Sequence, residues 1–579
     1  MPVFAPIVLL ALAASPHITK MQSTPPPQLE DLHTLIAGYE ADRSDLAQLF
    51  PIEASTARRT RFSELYRHWQ VEVTGLTFAD LPSIAKADDV LFQNHLARVL
   101  RQLDLDAAED AKIRHFVPFA QTLIDLEEAR IKMLPLTPEK AANELSGLTK
   151  TISDTRAVLE KEHGPDKHVA DQAAQLVSKL RTALERWFKF YDGYDPMFTW
   201  WVEAPYKEAV KSLDEFAAFL REKLVGIKPD DNNAIVGHPV GRDALMADLE
   251  SEMIPYTPED LIAEAARQYA WCESEMKKAS HELGFGDDWK KALEHVKGLH
   301  VEPGKQPELI KQLAEEAIAF VESRDLVTVP PMAKETLRME MMSPERQLVN
   351  PFFLGGPLII VSYPTSAMSQ EAKLMSMRGN NVHFSRATVQ HELIPGHHLQ
   401  DYMESRYRPY RGPFWTPFWV EGWAVYWEML LWDLGFPRSP EDRIGMLFWR
   451  MHRCARVEFS LKFHLGQMTA QQCIDMLVEK VGHERSTAEG EVRRSFNGSY
   501  PPLYQAAYLI GALQFRALRH ELVDSGKMTD RAFHDAILHE NCIPIAMVRS
   551  ILTGNIPAPG SKPAWRFLDG SLRVNASAK

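Results

Sequence analysis

Cysteine is scarce in this chain, at four among 579 residues, and no two of the four form a CxxC pair. Cys272, Cys454, Cys473 and Cys542 therefore supply no thiolate zinc site and no redox dithiol, and no disulfide framework is implied. They read as small buried hydrophobes. A basic excess is also missing. Lys and Arg number 65 against 78 Asp and Glu, and the net charge of −13 is spread along the chain, which leaves no basic patch for nucleic acid. Nor is there an apolar run of bilayer length. Val3 to Ala14 falls short of the roughly 20 residues a spanning helix needs, so no stable membrane span is expected. Low-complexity tracts and fixed-period repeats are absent too, which disfavours a solenoid.

What remains is globular. With 45% hydrophobic residues an ample core is available, and 579 residues predict three to four units or one large helical body. Residues 1–28 read as a signal peptide or a disordered start. The apolar run ends in Leu-Ala-Ala-Ser, but no Lys or Arg precedes it, and Met21 opens a polar, Pro-rich stretch. Secreted and cytoplasmic residence both stay open, and oligomeric state is not legible. From Leu29 to Val327 helical periodicity dominates, in Pro138 to Glu162, Asp171 to Phe190 and Tyr206 to Val225. Thr257-Pro-Glu-Asp-Leu predicts a capped helix running through Leu283 and stopping at Gly284. Prolines and glycines then break the chain from Val327 to Pro357, Leu358 to Tyr363 reads as a strand, and helices return from Arg386. The predicted organisation is a helical N-terminal scaffold over 29–329, a zinc-binding catalytic region over 330–560 and a tail over 561–579.

The chemistry concentrates at His391-Glu-Leu-Ile-Pro-Gly-His-His398 and at Val420-Glu-Gly-Trp-Ala-Val-Tyr426. A catalytic zinc commonly takes two His and one Glu and leaves a fourth position for water. A carboxylate beside the first His, here Glu392, can take the proton from that water. Two His ligands normally sit four apart on one helical face. Here the intervals from His391 are six and seven, too far along an unbroken helix at about 1.5 Å per residue. Pro395-Gly396 supplies a break that returns one of the two to the metal; spacing alone leaves His397 and His398 both open. Glu421 begins an apolar, aromatic helix from Phe418 to Leu431, where a carboxylate needs a cation or another partner. Glu428, two turns on, is placed to orient a ligand His or to make a salt bridge.

At these residues the chain resembles a known family. His391-Glu-Leu-Ile-Pro-Gly-His-His-Leu-Gln400 is similar to the HExxPGHHxQ signature of domain-of-unknown-function family 885, a family of mainly helical proteins read as gluzincin-like zinc metallopeptidases. Gly237-His-Pro-Val-Gly-Arg-Asp-Ala-Leu245, Thr257-Pro-Glu-Asp-Leu261, Val420 to Tyr426 and Tyr504-Gln-Ala-Ala-Tyr-Leu-Ile-Gly511 extend the likeness over roughly 30–560. Glu421-Gly-Trp-Ala resembles the segment that carries the third zinc ligand in gluzincin aminopeptidases. Pro395-Gly-His-His-Leu-Gln resembles the second-ligand segment of thimet-type oligopeptidases, which implies His397 as the second ligand and leaves His398 as the alternative. The resemblance further implies Tyr508, or His464, as donor to the oxyanion. Lys462 and Met468 depart from the family pattern around His464.

The expectation is a mainly α, large helical zincin-like architecture with a small β element beside the active-site cleft. It is read as a zinc metallopeptidase with His391, His397 and Glu421 on Zn2+, Glu392 as general base, Tyr508 and His464 as further catalytic residues, and short peptides as substrates. The strand is expected to pair with an extended substrate, or else to be buried for packing. Arg450, Arg453 and Arg456, at helical spacing, either grip a peptide carboxylate or form a salt-bridged face. Two alternatives remain: a zinc amidohydrolase acting on non-peptide amides, and a catalytically silent helical binding protein.

Overall fold

Thr257 caps its helix as the sequence predicts. Its hydroxyl accepts the Asp260 N–H at 3.2 Å and the Asp260 carboxylate accepts the Thr257 N–H at 3.0 Å. The helix Pro258–Glu282 follows, and Gly284 leaves it at φ 83°. The periodic segments fold as Pro138–Leu159, Lys167–Tyr191 and Pro196–Phe219, the last continuing as a π-turn through Val225. The computed structural model describes residues 29–568 apart from 163, 165, 230, 232–233 and 348–351. The expected signal peptide or disordered start over 1–28, and the tail beyond 568, lie outside the described residues. Among the described residues there are twenty-three α-helices and one two-stranded parallel sheet, the mainly α fold expected. No helix among them is long and apolar enough to cross a membrane.

Three apolar clusters hold the molecule together. The largest runs from Leu32 to Phe567 and draws on both sides of residue 330. A second, from Ile52 to Leu220, belongs to the helices of the N-terminal half. The third joins Ile359 and Val361 of the sheet to Val389 and Leu393 beside the His-Glu pair. The small sheet therefore seats the helix Val382–Glu392.

The sheet corrects one expectation. The strand is Ile359–Val361, shorter than predicted, and neither of its edges is free for a substrate. One edge pairs in parallel with Met339–Met341. On the other, Ile360 and Leu354 exchange hydrogen bonds of 2.8 and 3.0 Å. Its backbone groups are spent inside the protein, and the segment Phe353–Gly356 comes between it and the cavity described below.

Two close crossings place the helices of the site. Gly422 of the helix Pro417–Asp433 meets Gly511 of the helix Tyr504–Arg519; a Cβ on Gly422 would lie 2.6 Å from the Gly511 backbone. Gly445 of the helix Pro440–His464 lies as tightly against His383 at the start of the His-Glu helix. Only a hydrogen in place of a side chain admits such contacts.

Behind the site, Glu491 is fully buried between two guanidiniums, 2.6 Å from Arg456 Nε and 2.8 Å from Arg494 Nε. Burial raises its pKa, but the two arginines overcome this and bring it down to about 2. A depressed carboxylate contributes its stability above its ordinary value and loses it as pH falls toward the depressed one. Glu491→Gln is expected to be less stable at pH 7 by about 3 kcal/mol. In denaturant melts the deficit should shrink as pH falls from about 4.5 to about 2. A deficit independent of pH would show that Glu491 acts by shape alone.

Candidate metal centre

His391 lies in the last turn of the helix Val382–Glu392, which ends at Leu393. Gly396 then passes so close to the His391 carbonyl that no Cβ fits there, and a new helix, His397–Glu404, begins at once. This break brings His397 back to His391, with ring centroids 4.8 Å apart. Trp423, from the neighbouring aromatic helix, holds the break by donating Nε1–H to the Pro395 carbonyl at 2.8 Å. His398 is turned away, its ring nitrogens 2.9 Å from the Ala333 carbonyl and 3.2 Å from the Gly356 carbonyl. Of the two histidines that spacing left open, the backbone delivers His397.

Glu421 completes the group. Its Oε2 lies 3.3 Å from His397 Nε2 and 3.7 Å from His391 Nε2. One donor atom from each of His391, His397 and Glu421 falls within 4.8 Å of the others, so the three could hold a metal ion. The far side of each imidazole is tied down. His391 Nδ1–H donates to Glu428 at 2.7 Å, and Arg453 holds that carboxylate in turn at 3.1 Å. His397 Nδ1–H donates to Gln400 Oε1 at 2.9 Å, while Gln400 donates to the Val420 carbonyl at 3.1 Å. Both Nε2 lone pairs are thereby aimed at Glu421. Tyr504 donates to Glu421 Oε1 at 2.6 Å, but the buried Oε2 has no hydrogen-bond partner. A buried carboxylate oxygen facing two imidazole lone pairs suits a cation, so the donor set fits a metal.

Without an ion, the same three groups attract a proton instead. Burial works against charge on His397, yet the carboxylate of Glu421 3.3 Å away carries its pKa up to about 9, so that a proton takes the place between them until a metal displaces it. Burial also opposes ionisation of Glu421, but the two imidazoles hold its carboxyl well below the usual range. Desolvation raises the pKa of Glu392 against the pull of both histidines. Burial pushes the phenols of Tyr504 and Tyr508 well above theirs.

A cavity of about 500 Å³ opens onto this group, and Glu392, Tyr504 and Tyr508 line it. Gly355 backs Glu392 so closely that a Cβ there would fall on its carboxylate. Tyr508 lies parallel to His391, at 9° and 6.3 Å. His464 is not brought in. It sits three turns beyond Arg453 on the same helix, about 16 Å along the axis, edge-on to Phe496 at 5.9 Å, and burial lowers its pKa to about 4. Sequence reasoning overlooked Tyr504, Tyr500 and Arg494, which also line the cavity; the motif around Tyr504 was visible, its hydrogen bond across helices was not. Glu428→Gln is expected to weaken metal binding about 10- to 100-fold without unfolding the protein, measured by competition with a chromogenic chelator.

A family described as "Bacterial protein of unknown function (DUF885)" matches residues 38–552. No curated protein matches the chain. Among solved structures, "a putative lipoprotein of unknown function" from Shewanella oneidensis is 16% identical, with 90% of this chain and 99% of that one covered and a TM-score of 0.67. A second, "the putative lipoprotein from Colwellia psychrerythraea", is 15% identical over 91% and 99% of the two chains, with a TM-score of 0.57. At these identities the likeness is one of fold.

Proposed function

The chain belongs to the DUF885 family of bacterial proteins, and on that premise we propose that it is a zinc metallopeptidase hydrolysing short peptides. One observation carries the reading: Glu421 Oε2 is buried and unpartnered beside two imidazole nitrogens whose opposite faces are fixed. Two neutral imidazoles and a carboxylate form a catalytic zinc set, whereas calcium and magnesium call for oxygen donors throughout. When bound, zinc supplies a Lewis acid that brings the pKa of water down toward 7.

The chain's own residues supply the rest. Glu392, on the cavity wall beside the ligand group, accepts the proton from water and returns it to the leaving amine; its raised pKa suits both transfers. Tyr508, on the same wall, donates to the carbonyl oxygen as charge gathers there. Tyr504 holds Glu421 in place. The backbone of Leu354–Gly356 offers an extended peptide a side-chain-poor wall. A cavity of about 500 Å³ takes a few residues of chain and excludes a folded protein. His464 has no part in this scheme.

The test is elemental analysis of purified protein together with hydrolysis of a mixed peptide library, with and without chelator. One zinc per chain is expected, with cleavage lost on chelation and restored by zinc. Failure to hold zinc after dialysis against it sinks the reading, and hydrolysis of small amides but no peptides makes the protein an amidohydrolase.

A further inference from the structure

Arg453, Arg456 and Arg494 of the cavity each have a nitrogen without a hydrogen-bond partner, but only in Arg456 is it a terminal fork nitrogen. Arg456 is 2% exposed, it lines the cavity, and its Nη1 has no hydrogen-bond partner. Its Nε is engaged by Glu491, which Arg494 shares, so two guanidiniums face one carboxylate. The neighbouring His452 and His483 do not alter that balance, because burial lowers both their pKa values and keeps the rings neutral. Arg453 is matched by Glu428 at 3.1 Å. These three arginines therefore face two carboxylates, with a donor of Arg456 to spare, and Arg346 adds a further cation to the lining. Asp401 and Glu404 line the cavity as well and supply charge of the other sign. A guanidinium with a free fork nitrogen in a poorly solvated wall is suited to a carboxylate, the charged group that every unblocked peptide carries at its end.

Distance sets where that carboxylate comes from. Tyr508 bridges the two centres, 6.3 Å from the ring of His391 and 4.2 Å from the guanidinium of Arg456. Extended chain advances about 3.4 Å per residue, so at most about three residues separate the metal group from Arg456. Building on the peptidase reading, we infer that the cavity takes its substrate by the free C-terminal carboxylate, held by Arg456 with Arg494 beside it, and that hydrolysis falls within about three residues of that end. Arg456 is then the residue that sets specificity, and the protein is an exopeptidase acting from the C-terminus.

The experiment uses the zinc-loaded wild-type protein and two pentapeptides that differ only in ending as carboxylate or carboxamide. The free acid is expected to be cut with kcat/KM about 100-fold higher, and mass spectrometry should place the cut in its last three residues. Arg456→Lys keeps the charge but loses the fork, and should bring the two rates together. Inhibition of the wild type by an acetylated amino acid, at about tenfold lower concentration than by its amide, probes the same contact without any variant. Equal rates on acid and amide, or cleavage far from the C-terminus, overturn the inference and leave the peptidase reading intact. No cleavage of either peptide by the zinc-loaded protein sinks the peptidase reading and this inference with it.

Discussion

Glu392→Gln is expected to keep its metal and lose about three orders of magnitude in kcat. The reason is position. Glu392 follows His391 directly, lines the cavity and stands outside the group of three that could hold the ion. Its carboxylate is half-buried against the backbone of Gly355, so glutamine, with the same outline, fits without moving the wall. What glutamine removes is the capacity to take up a proton. Desolvation already holds the Glu392 carboxyl above its ordinary value, which makes the carboxylate a stronger base. The measurement is kcat on a cleaved peptide beside zinc content by elemental analysis. Full activity with zinc retained would remove Glu392 as the base, and loss of zinc would make it a ligand.

The second large effect is expected at Glu421. Glu421→Gln keeps the outline and an acceptor for Tyr504 but removes the negative charge between the two imidazoles. A ligand present at 1,000 times its dissociation constant stabilises the folded state by about 4 kcal/mol. That increment should appear on adding zinc to the wild type and vanish in the variant, each compared with its own chelated form, because loss of the charge paired with His391 and His397 lowers the metal-free stability of the variant as well. A variant that still gains the full increment would show that zinc is held elsewhere. His391→Ala would be a blunter instrument, because it also strands Glu428, whose carboxylate then faces Arg453 alone.

The helical character of the chain was legible because it is written locally. Apolar spacing, the Thr257 cap and Gly284 each act within a turn or two of themselves, and each appears where the sequence puts it. The break at Pro395-Gly396 was legible for the same reason, since proline and a crowded glycine cannot continue a helix. The choice between His397 and His398 was not settled by spacing, because it depends on the direction in which the chain resumes. The pairing of Glu428 with His391 was half legible: the helical face was evident, the partner 37 residues away was not. What lay beyond reach depends on packing between distant segments. Tyr504 meets Glu421 across 83 residues, Arg456 and Glu491 meet across 35, and Leu354 closes the second edge of the strand. None of these leaves a periodic trace. The distance of His464 from the cavity was hidden for a related reason, since a matching motif fixes neighbours along the chain but not how far the helix carries them from the pocket.

The contact of Gly422 with Gly511 has a mechanical consequence. With no side chain between the two helices, Glu421, Tyr504 and Tyr508 are fastened to a common frame that close packing keeps from sliding. The opposite wall is tied as well, with Leu354 bonded to Ile360 and Gly355 pressed against Glu392, so an incoming chain must fit the cavity largely as it stands. Selectivity then comes from a mould set in advance rather than from closure around the substrate.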